Sequence, residues 1–258
     1  MADIEVQYKG STIKQQTGSG TVTLHTEGKY MEDDVDIVYT APGGDSAELL
    51  SILARTKSGA ITNSDITALG AYGMSYMANA TKISLPNCAS LGDHAFYYNR
   101  NVTEYNLPNV ETITADWYHF AENRALVGLI LPKLKGTHIW PSICYNNKLM
   151  VYADFGAKAS GKPGQVGGSA FYGATAFNTL ILRYTQGALT LSNINAFSGT
   201  CFASGGSGGT LYVPSALVAT YTQSSNWSTI IGYANNQIKA IENSIYDGYY
   251  ADGTAIPA

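Results

Sequence analysis

The chain has 258 residues, enough to bury a real core in one elongated domain or in two compact ones. Only 13% of its residues are charged and the formal net charge is −4, with no basic block to track phosphates, so nucleic acid is not an expected partner. Gly (27) and Tyr (19) are abundant while Lys and Glu are scarce, a balance that favours β structure and tight turns over long surface helices.

The opening MADIEVQYKGS lacks a positive leader followed by an apolar run, so a chain that starts at Met1 is expected not to leave the cytoplasm by the common secretory route. No stretch reaches the roughly 18 apolar residues of a span, and membrane insertion is not expected. Residues 1–43 read as a small N-terminal β module: IEVQYKG, STIKQQ, TVTLHT and VDIVYT are short β-prone runs parted by Gly and charged turns. The acids Glu32, Asp33, Asp34 and Asp36 within it read as solvated surface. Residues 44–59 read as a linker and capping helix, in which Asp45 or Ser46 caps AELLSILARTK and covers the exposed end of the array that follows.

From residue 60 to 210 one phrase recurs. With Met74, Phe96, Phe120, Ile143 and Phe171 taken as zero, the residues six further on are Ala80, Val102, Leu126, Leu149 and Phe177, all apolar. Nine further on stand Ile83, Tyr105, Leu129, Tyr152 and Leu180, and eleven further on Leu85, Leu107, Leu131, Asp154 and Leu182, where Asp154 alone breaks the pattern. The zeros are spaced by 22, 24, 23 and 28 residues, a period associated with solenoids. A sixth copy from Phe197 reaches its last pair, Leu211 and Val213, only after GGSGG. Offsets nine and eleven alternate with polar positions as a strand does, and Pro86, Pro108 and Pro132 stop each strand. Each unit thus supplies a short strand, a turn and a compact apolar segment around the zero position, expected as a turn of helix. Stacked units bury what one cannot, with the strands aligned as a parallel sheet.

Asn99, Asn123 and Asn146 fall at offset three; they suit a structural row that bonds the backbone of the adjacent turn, or alternatively a row of ligand contacts. The stretch Gly156–Ser169 reads as a long flexible excursion, either a binding feature or a tolerated insertion. Residues 211–243 read as a terminal unit and cap, and the Tyr-rich tail 244–258 as an arm packed on the last unit or a neighbour, or as a sugar-stacking element. Cys88, Cys144 and Cys201 form no CxxC pair and read as small buried hydrophobes.

The phrase LGDHAFYYNRNVTEYNLPN resembles the BspA-type leucine-rich repeat, through Leu91, Gly92, Ala95, Phe96, Val102, Tyr105, Leu107 and Pro108. LYVPSALVATYTQSSNWSTIIGYANNQIKAIE is similar to the terminal unit of that family. The resemblance implies a β-rich leucine-rich-repeat solenoid and membership among diverse surface, adhesion and virion proteins. The N-terminal runs GTVTL, GKY and VDIVY resemble β segments that precede variable domains in tailed-phage structural proteins of gut bacteria. Together these imply a virion protein, attached to other virion proteins through residues 1–43. The alternatives are a bacterial cell-surface or extracellular adhesin and a purely architectural particle component.

Chemistry is sparse in the sequence. His94 and His119 flank adjacent zeros without a Cys or carboxylate partner, GGSGG lacks a phosphate-loop Lys, and no nucleophile elbow occurs, so neither metal, cofactor nor catalysis is expected. A glycan hydrolase would need two opposed carboxyls from a region with few acids. The expected function is recognition of a host-cell protein or glycan, with Tyr97, Tyr98, Arg100, Tyr118, His119, Tyr145 and Asn147 as contacts, because Tyr gives large area with a polar tip. No heptad run supports a coiled coil, and any homo-oligomer would use β or loop surfaces.

Overall fold

The computed structural model describes residues 4–8, 11–16, 21–26, 35–40, 59–113, 117–135, 138–156 and 164–257. The four N-terminal runs are strands β1 (Ile4–Tyr8), β2 (Ser11–Gln16), β3 (Thr21–Thr26) and β4 (Val35–Thr40), paired as two antiparallel hairpins, β1 with β2 and β3 with β4. The expected helix AELLSILARTK lies outside the described residues.

Beyond residue 58 the protein is β-rich, with short parallel strands in several sheets and few helices. The strands are β5 (Gly59–Thr62), β6 (Ala68–Leu69), β7 (Ala80–Ser84), β8 (Ser90–Leu91), β9 (Glu104–Asn106), β10 (Thr112–Ile113), β11 (Gly128–Leu131), β12 (His138–Ile139), β13 (Tyr152–Phe155), β14 (Gln165–Val166), β15 (Thr179–Leu182), β16 (Thr190–Leu191), β17 (Thr210–Val213) and β18 (Gln237–Ala240). The longer strands pair in the orders β5-β7-β9 and β11-β13-β15-β17-β18, the two-residue strands in the orders β6-β8-β10 and β12-β14-β16, and every one of these pairings is parallel. Near the end stand two short helices, α1 (Val218–Gln223) and α2 (Ser225–Ile231), which bring Tyr221 and Trp227 into the core.

The period-two rule places Leu129 and Leu131, Leu180 and Leu182, and Leu211 and Val213 on the inner face, all fully buried. The turns between strands add the aromatic part of the core: Phe96 lies 5.1 Å from Phe120, Phe171 lies 5.4 Å from Phe197, and Phe197 lies 5.9 Å from Trp227.

Each turn is bonded to the next. The N–H groups of Met74, Phe96, Phe120, Cys144 and Phe171 donate to the carbonyls of Ala95, His119, Ile143, Ala170 and Ala196. This series corrects the fourth zero, which is Cys144 and not Ile143. Counted from Cys144, the buried residues Met150, Ala153 and Phe155 take the expected offsets, whereas Leu149 is 58% exposed. Asp154 therefore interrupts nothing: in the sheet it stands beside Ile130 and Ile181, on the face away from the core.

The same shift corrects the asparagine row. Its members are Asn99, Asn123 and Asn147, all buried, while Asn146 is half-buried and donates to Glu122 at 2.6 Å. The N–H of Met77 donates to Asn99 Oδ1 (2.7 Å), that of Asn99 to Asn123 Oδ1 (2.6 Å), and that of Asn123 to Asn147 Oδ1 (2.8 Å). Each side-chain amide also donates: Asn99 to the Met74 carbonyl, Asn147 to the Phe120 carbonyl, and both Asn99 and Asn123 to the buried Tyr105 hydroxyl at 3.0 Å. Asn236 does similar work near the end, donating to the carbonyls of Phe202 and Ile230 and accepting from the Gly209 N–H, which ties the GGSGG stretch down.

One further expectation changes, and the tail finds its place. Within Gly156–Ser169, residues 157–163 lie outside the described residues, but Gln165 and Val166 form β14, paired with both β12 and β16, so the stretch is not simply an excursion. The tail is an arm folded back onto the outer sheet face. Arg183 grips Asp154 through Nε (2.7 Å) and Nη2 (2.8 Å), and the same guanidinium donates to the carbonyl of Tyr249, while the Ala251 N–H donates to Asp154 Oδ2. Tyr246 packs edge-on to Tyr212 at 4.8 Å, and Ile181, outside the main core, is fully buried. Burial raises the Asp154 pKa; its bonds to Arg183 and Ala251 oppose that rise.

Two predictions follow from these contacts. Asn123→Ala strands the Asn99 N–H and costs about 2–3 kcal/mol in urea or thermal denaturation, whereas Asn146→Gly, outside the row, costs under about 1 kcal/mol. Arg183→Met leaves the Asp154 carboxylate buried and unpaired, costing about 3–5 kcal/mol and opening the tail to limited proteolysis; adding Asp154→Ile restores most of the loss, since the pair then becomes apolar beside Ile130 and Ile181.

Candidate functional site

The turns that carry the core phenylalanines also carry a second set of rings, directed outward. Two residues in each turn hold a left-handed backbone. Two places before the core residue stand Tyr72 (φ 56°), His94 (50°), Tyr118 (65°), Ser142 (55°) and Ser169 (58°); two places after it stand Tyr76 (56°), Tyr98 (62°), Glu122 (60°), Asn146 (59°) and Gly173 (73°). These alternate with residues of negative φ, so that N–H groups two apart face the next turn: Tyr76 donates to Tyr97, Tyr98 to Ala121, Glu122 to Tyr145 and Asn146 to Tyr172. For a residue with a Cβ the left-handed region costs about 1 kcal/mol or more, and the bonded ladder offsets that cost.

On this framework the rings meet in a continuous stripe. Tyr72 stacks on His94 with centroids 4.6 Å apart, and His94 lies 5.3 Å from Tyr97 and 5.4 Å from Tyr118. Tyr76 lies 5.5 Å from Tyr97 and 5.2 Å from Tyr98. Tyr118 continues to Tyr145 at 5.8 Å, and Tyr145 stacks on Tyr172 at 5.2 Å with ring planes 6° apart. Trp117, 52% exposed, flanks Tyr118 at 6.2 Å, and Tyr172 is 42% exposed.

Two acids along the stripe have basic partners, while Arg100 is met by a ring. Asp93 contacts His94 Nδ1 at 2.6 Å, Glu122 pairs with Arg124 at 2.9 Å, and the Arg100 guanidinium lies 4.0 Å from the Tyr98 ring centroid. Partial burial, reinforced by Glu122 and the neighbouring phenols, raises the Tyr97 pKa, and burial together with Asp93 raises that of Tyr72. Both phenols therefore remain hydrogen-bond donors into the alkaline range.

Of the expected contact residues, Tyr97, Tyr98, Arg100, Tyr118 and Tyr145 lie in this stripe. His119 and Asn147 do not: both are fully buried, the first beside the core residue Phe120 and the second in the asparagine row. His94 and His119 consequently occupy opposite sides of the backbone. Tyr72, Tyr76, Trp117 and Tyr172 belong to the stripe without having been singled out from the sequence, and His94, weighed there only as a metal ligand, joins it through its ring. The signal was available, because aromatic residues recur one or two places from successive core positions.

A separate cleft of about 500 Å³ lies beside the tail, lined in part by Pro132, Pro214, Ile241, Tyr250 and Ile256. Its charged walls are already occupied: Arg183 by Asp154, Glu242 by the Ser215 N–H and Asp247 by the Asn243 N–H. Among the described residues no cluster of three or more His, Cys, Asp or Glu stands ready to hold a metal ion. The burial of Cys88 raises its thiol to about 11, and burial pushes Cys144 up as well. No protein-family model matches this chain, and no curated protein matches it.

The left-handed backbone makes a direct prediction. At position 118 glycine is the better replacement: Tyr118→Gly should be more stable than Tyr118→Ala by about 1 kcal/mol in thermal denaturation, the reverse of their order at an ordinary strand or helix position.

Proposed function

We propose that this chain is a non-enzymatic recognition protein, built as a leucine-rich-repeat solenoid and carried on a virion surface through its N-terminal β module, that contacts a host-cell glycan or protein through the tyrosine stripe. The observation that carries the proposal is the stripe itself. At Tyr72, Tyr76, Tyr98 and Tyr118 bulky rings occupy backbone positions that favour glycine, and in a later turn Gly173 does occupy the matching position. Backbone strain retained along one line of contiguous, partly exposed rings fits a surface kept for binding.

The solenoid part of the proposal is supported by the parallel register, which joins like positions at intervals of 22, 24 and 24 residues along the asparagine row. The virion part is supported by the resemblance of the N-terminal strands to phage structural segments. A role without catalysis is proposed because the acids near the stripe and the cleft are already engaged, Asp93 by His94, Glu122 by Arg124 and Asp154 by Arg183.

The test is binding of the fluorescently labelled chain to a panel of intestinal bacterial cells. The triple variant Tyr97→Ala, Tyr98→Ala, Tyr118→Ala should lose at least about tenfold in affinity, the scale of losing ring contacts at the centre of a surface. Unchanged binding by a folded triple variant would remove the stripe from the function.

A further inference from the structure

We infer that the ligand of the stripe is an acidic polysaccharide, whose carboxylates are held by Arg100 and Lys148 and whose sugar rings lie against the tyrosines. This rests on the recognition role proposed above and narrows it to one ligand class.

The unmatched charges at the stripe are positive. Arg100, Arg124 and Lys148 stand four places after the core residues Phe96, Phe120 and Cys144, and so occupy one position in three successive turns. In the middle turn Glu122 cancels the cation, accepting from Arg124 Nε at 3.0 Å and from the Asn146 amide at 2.6 Å. The turns on either side carry Tyr98 and Asn146 in the place of that acid. Asp93, the other acid beside the rings, is engaged by His94. Arg100 and Lys148 consequently form no ion pair among the described residues, and Lys148 is exposed.

Arg100 is already oriented for an anion. Its guanidinium lies 4.0 Å from the Tyr98 ring centroid, and its Nε is buried without a hydrogen-bond partner. A guanidinium spread on a ring keeps its Nη edge for a carboxylate, which it grips through two parallel bonds. The ring beneath it is fixed in turn, because Tyr98 has a left-handed backbone and its N–H is bonded to the Ala121 carbonyl. Groups set in place before binding lower the ordering cost that makes polyhydroxyl ligands hard to retain.

Recurrence selects a polymer of sugars among acidic ligands. His94, Tyr97 and Tyr98 put three rings across the turn of Phe96, and Tyr118, Tyr145 and Tyr172 carry rings through the next three turns. Rings and basic side chains thus return at each step of about 4.8 Å. A ligand that answers each step with like chemistry must itself repeat on that scale, as linked sugar rings do and the surface of a folded protein does not. Nucleic acid repeats too, but it carries a phosphate on every nucleotide, and the middle cation of the three is already taken by Glu122. An acidic sugar chain supplies carboxylates for the free cations, hydroxyls for the phenols and C–H faces for the rings.

The experiment measures, by calorimetry, binding of the full chain to two acidic octasaccharides, one of alternating glucuronate and N-acetylglucosamine and one of galacturonate. The carboxyl-reduced form of each, octathymidylate and octaglutamate are measured beside them. At least one uronate octasaccharide should bind saturably, weaken about threefold or more when salt is raised, and lose at least about tenfold when its carboxylates are reduced to alcohols. Arg100→Gln with Lys148→Gln should cost at least about tenfold, and Lys148→Gln alone, at an exposed side chain, about threefold. Lys133→Gln with Lys239→Gln, which removes the same charge from exposed positions off the stripe, should change affinity less than about twofold. The inference is overturned if no uronate binds at millimolar concentration, if the reduced forms bind equally well, if octathymidylate or octaglutamate binds tighter than both uronates, or if the off-stripe pair costs as much as the stripe pair. Cell binding that is lost in the triple alanine variant yet intact in Arg100→Gln with Lys148→Gln leaves the recognition role standing and removes the acidic glycan. Cell binding untouched by the triple variant brings down the recognition role itself.

Discussion

A chain that runs back and forth in short parallel strands leaves its turns with backbone N–H groups that no strand ladder reaches, and a buried N–H without a partner costs more than most single contacts give. Asn99, Asn123 and Asn147 resolve this by lending a side-chain carbonyl to the turn before each of them. Their own amides return to the backbone or to Tyr105, so the row is satisfied on both sides. Such a row holds only if equivalent residues come into line in every segment. That alignment stacks Phe96 on Phe120 inside, and on the outer side it brings Tyr118 up against Tyr145.

The inner and outer rings are thus two products of one turn. Its left-handed residues cost free energy that a glycine would not, and the chain does use Gly173 in one of the matching places. Where it keeps tyrosine, the ring is partly exposed and in contact with its neighbours. The sheet is treated differently on its outward face: there the row Ile130, Asp154, Ile181 is closed over by the tail, and the Asp154 and Arg183 pair fixes where the tail crosses. Burial works against the charge on Asp154, and the guanidinium with the Ala251 N–H supplies what water no longer does. One face is thereby sealed by the chain's own end and another is left presenting phenols.

Much of this was legible beforehand. The strands at Leu129 to Leu131 and Leu180 to Leu182, the prolines that follow the early ones, and the core role of Phe96, Phe120 and Phe171 follow from alternation and spacing. The fourth unit was misread by one residue, for a physical reason. A search for the largest apolar side chain selects Ile143, whereas the position requires only something small and apolar, and Cys144 suffices. That slip made Asp154 look like a defect and exchanged Asn146 with Asn147. His119 was misplaced because adjacent residues in a turn diverge, so proximity in sequence to Tyr118 says nothing of the side on which the imidazole lies.

The sequence by itself determined the strand positions, the interval between like residues and the buried identity of most apolar ones, because alternation and recurrence are properties of the chain and survive without knowledge of neighbours. Only the tertiary structure decided which asparagine enters the row, which tyrosines join into a stripe and what Asp154 holds. These depend on contacts between residues 22 to 97 positions apart, as in the bonds from Met77 to Asn99 and from Ala251 to Asp154, and on the sign of φ at a few turn residues. Neither quantity is written in local pattern, since one residue type can satisfy a turn from inside or stand outside it, and the folded backbone makes the choice.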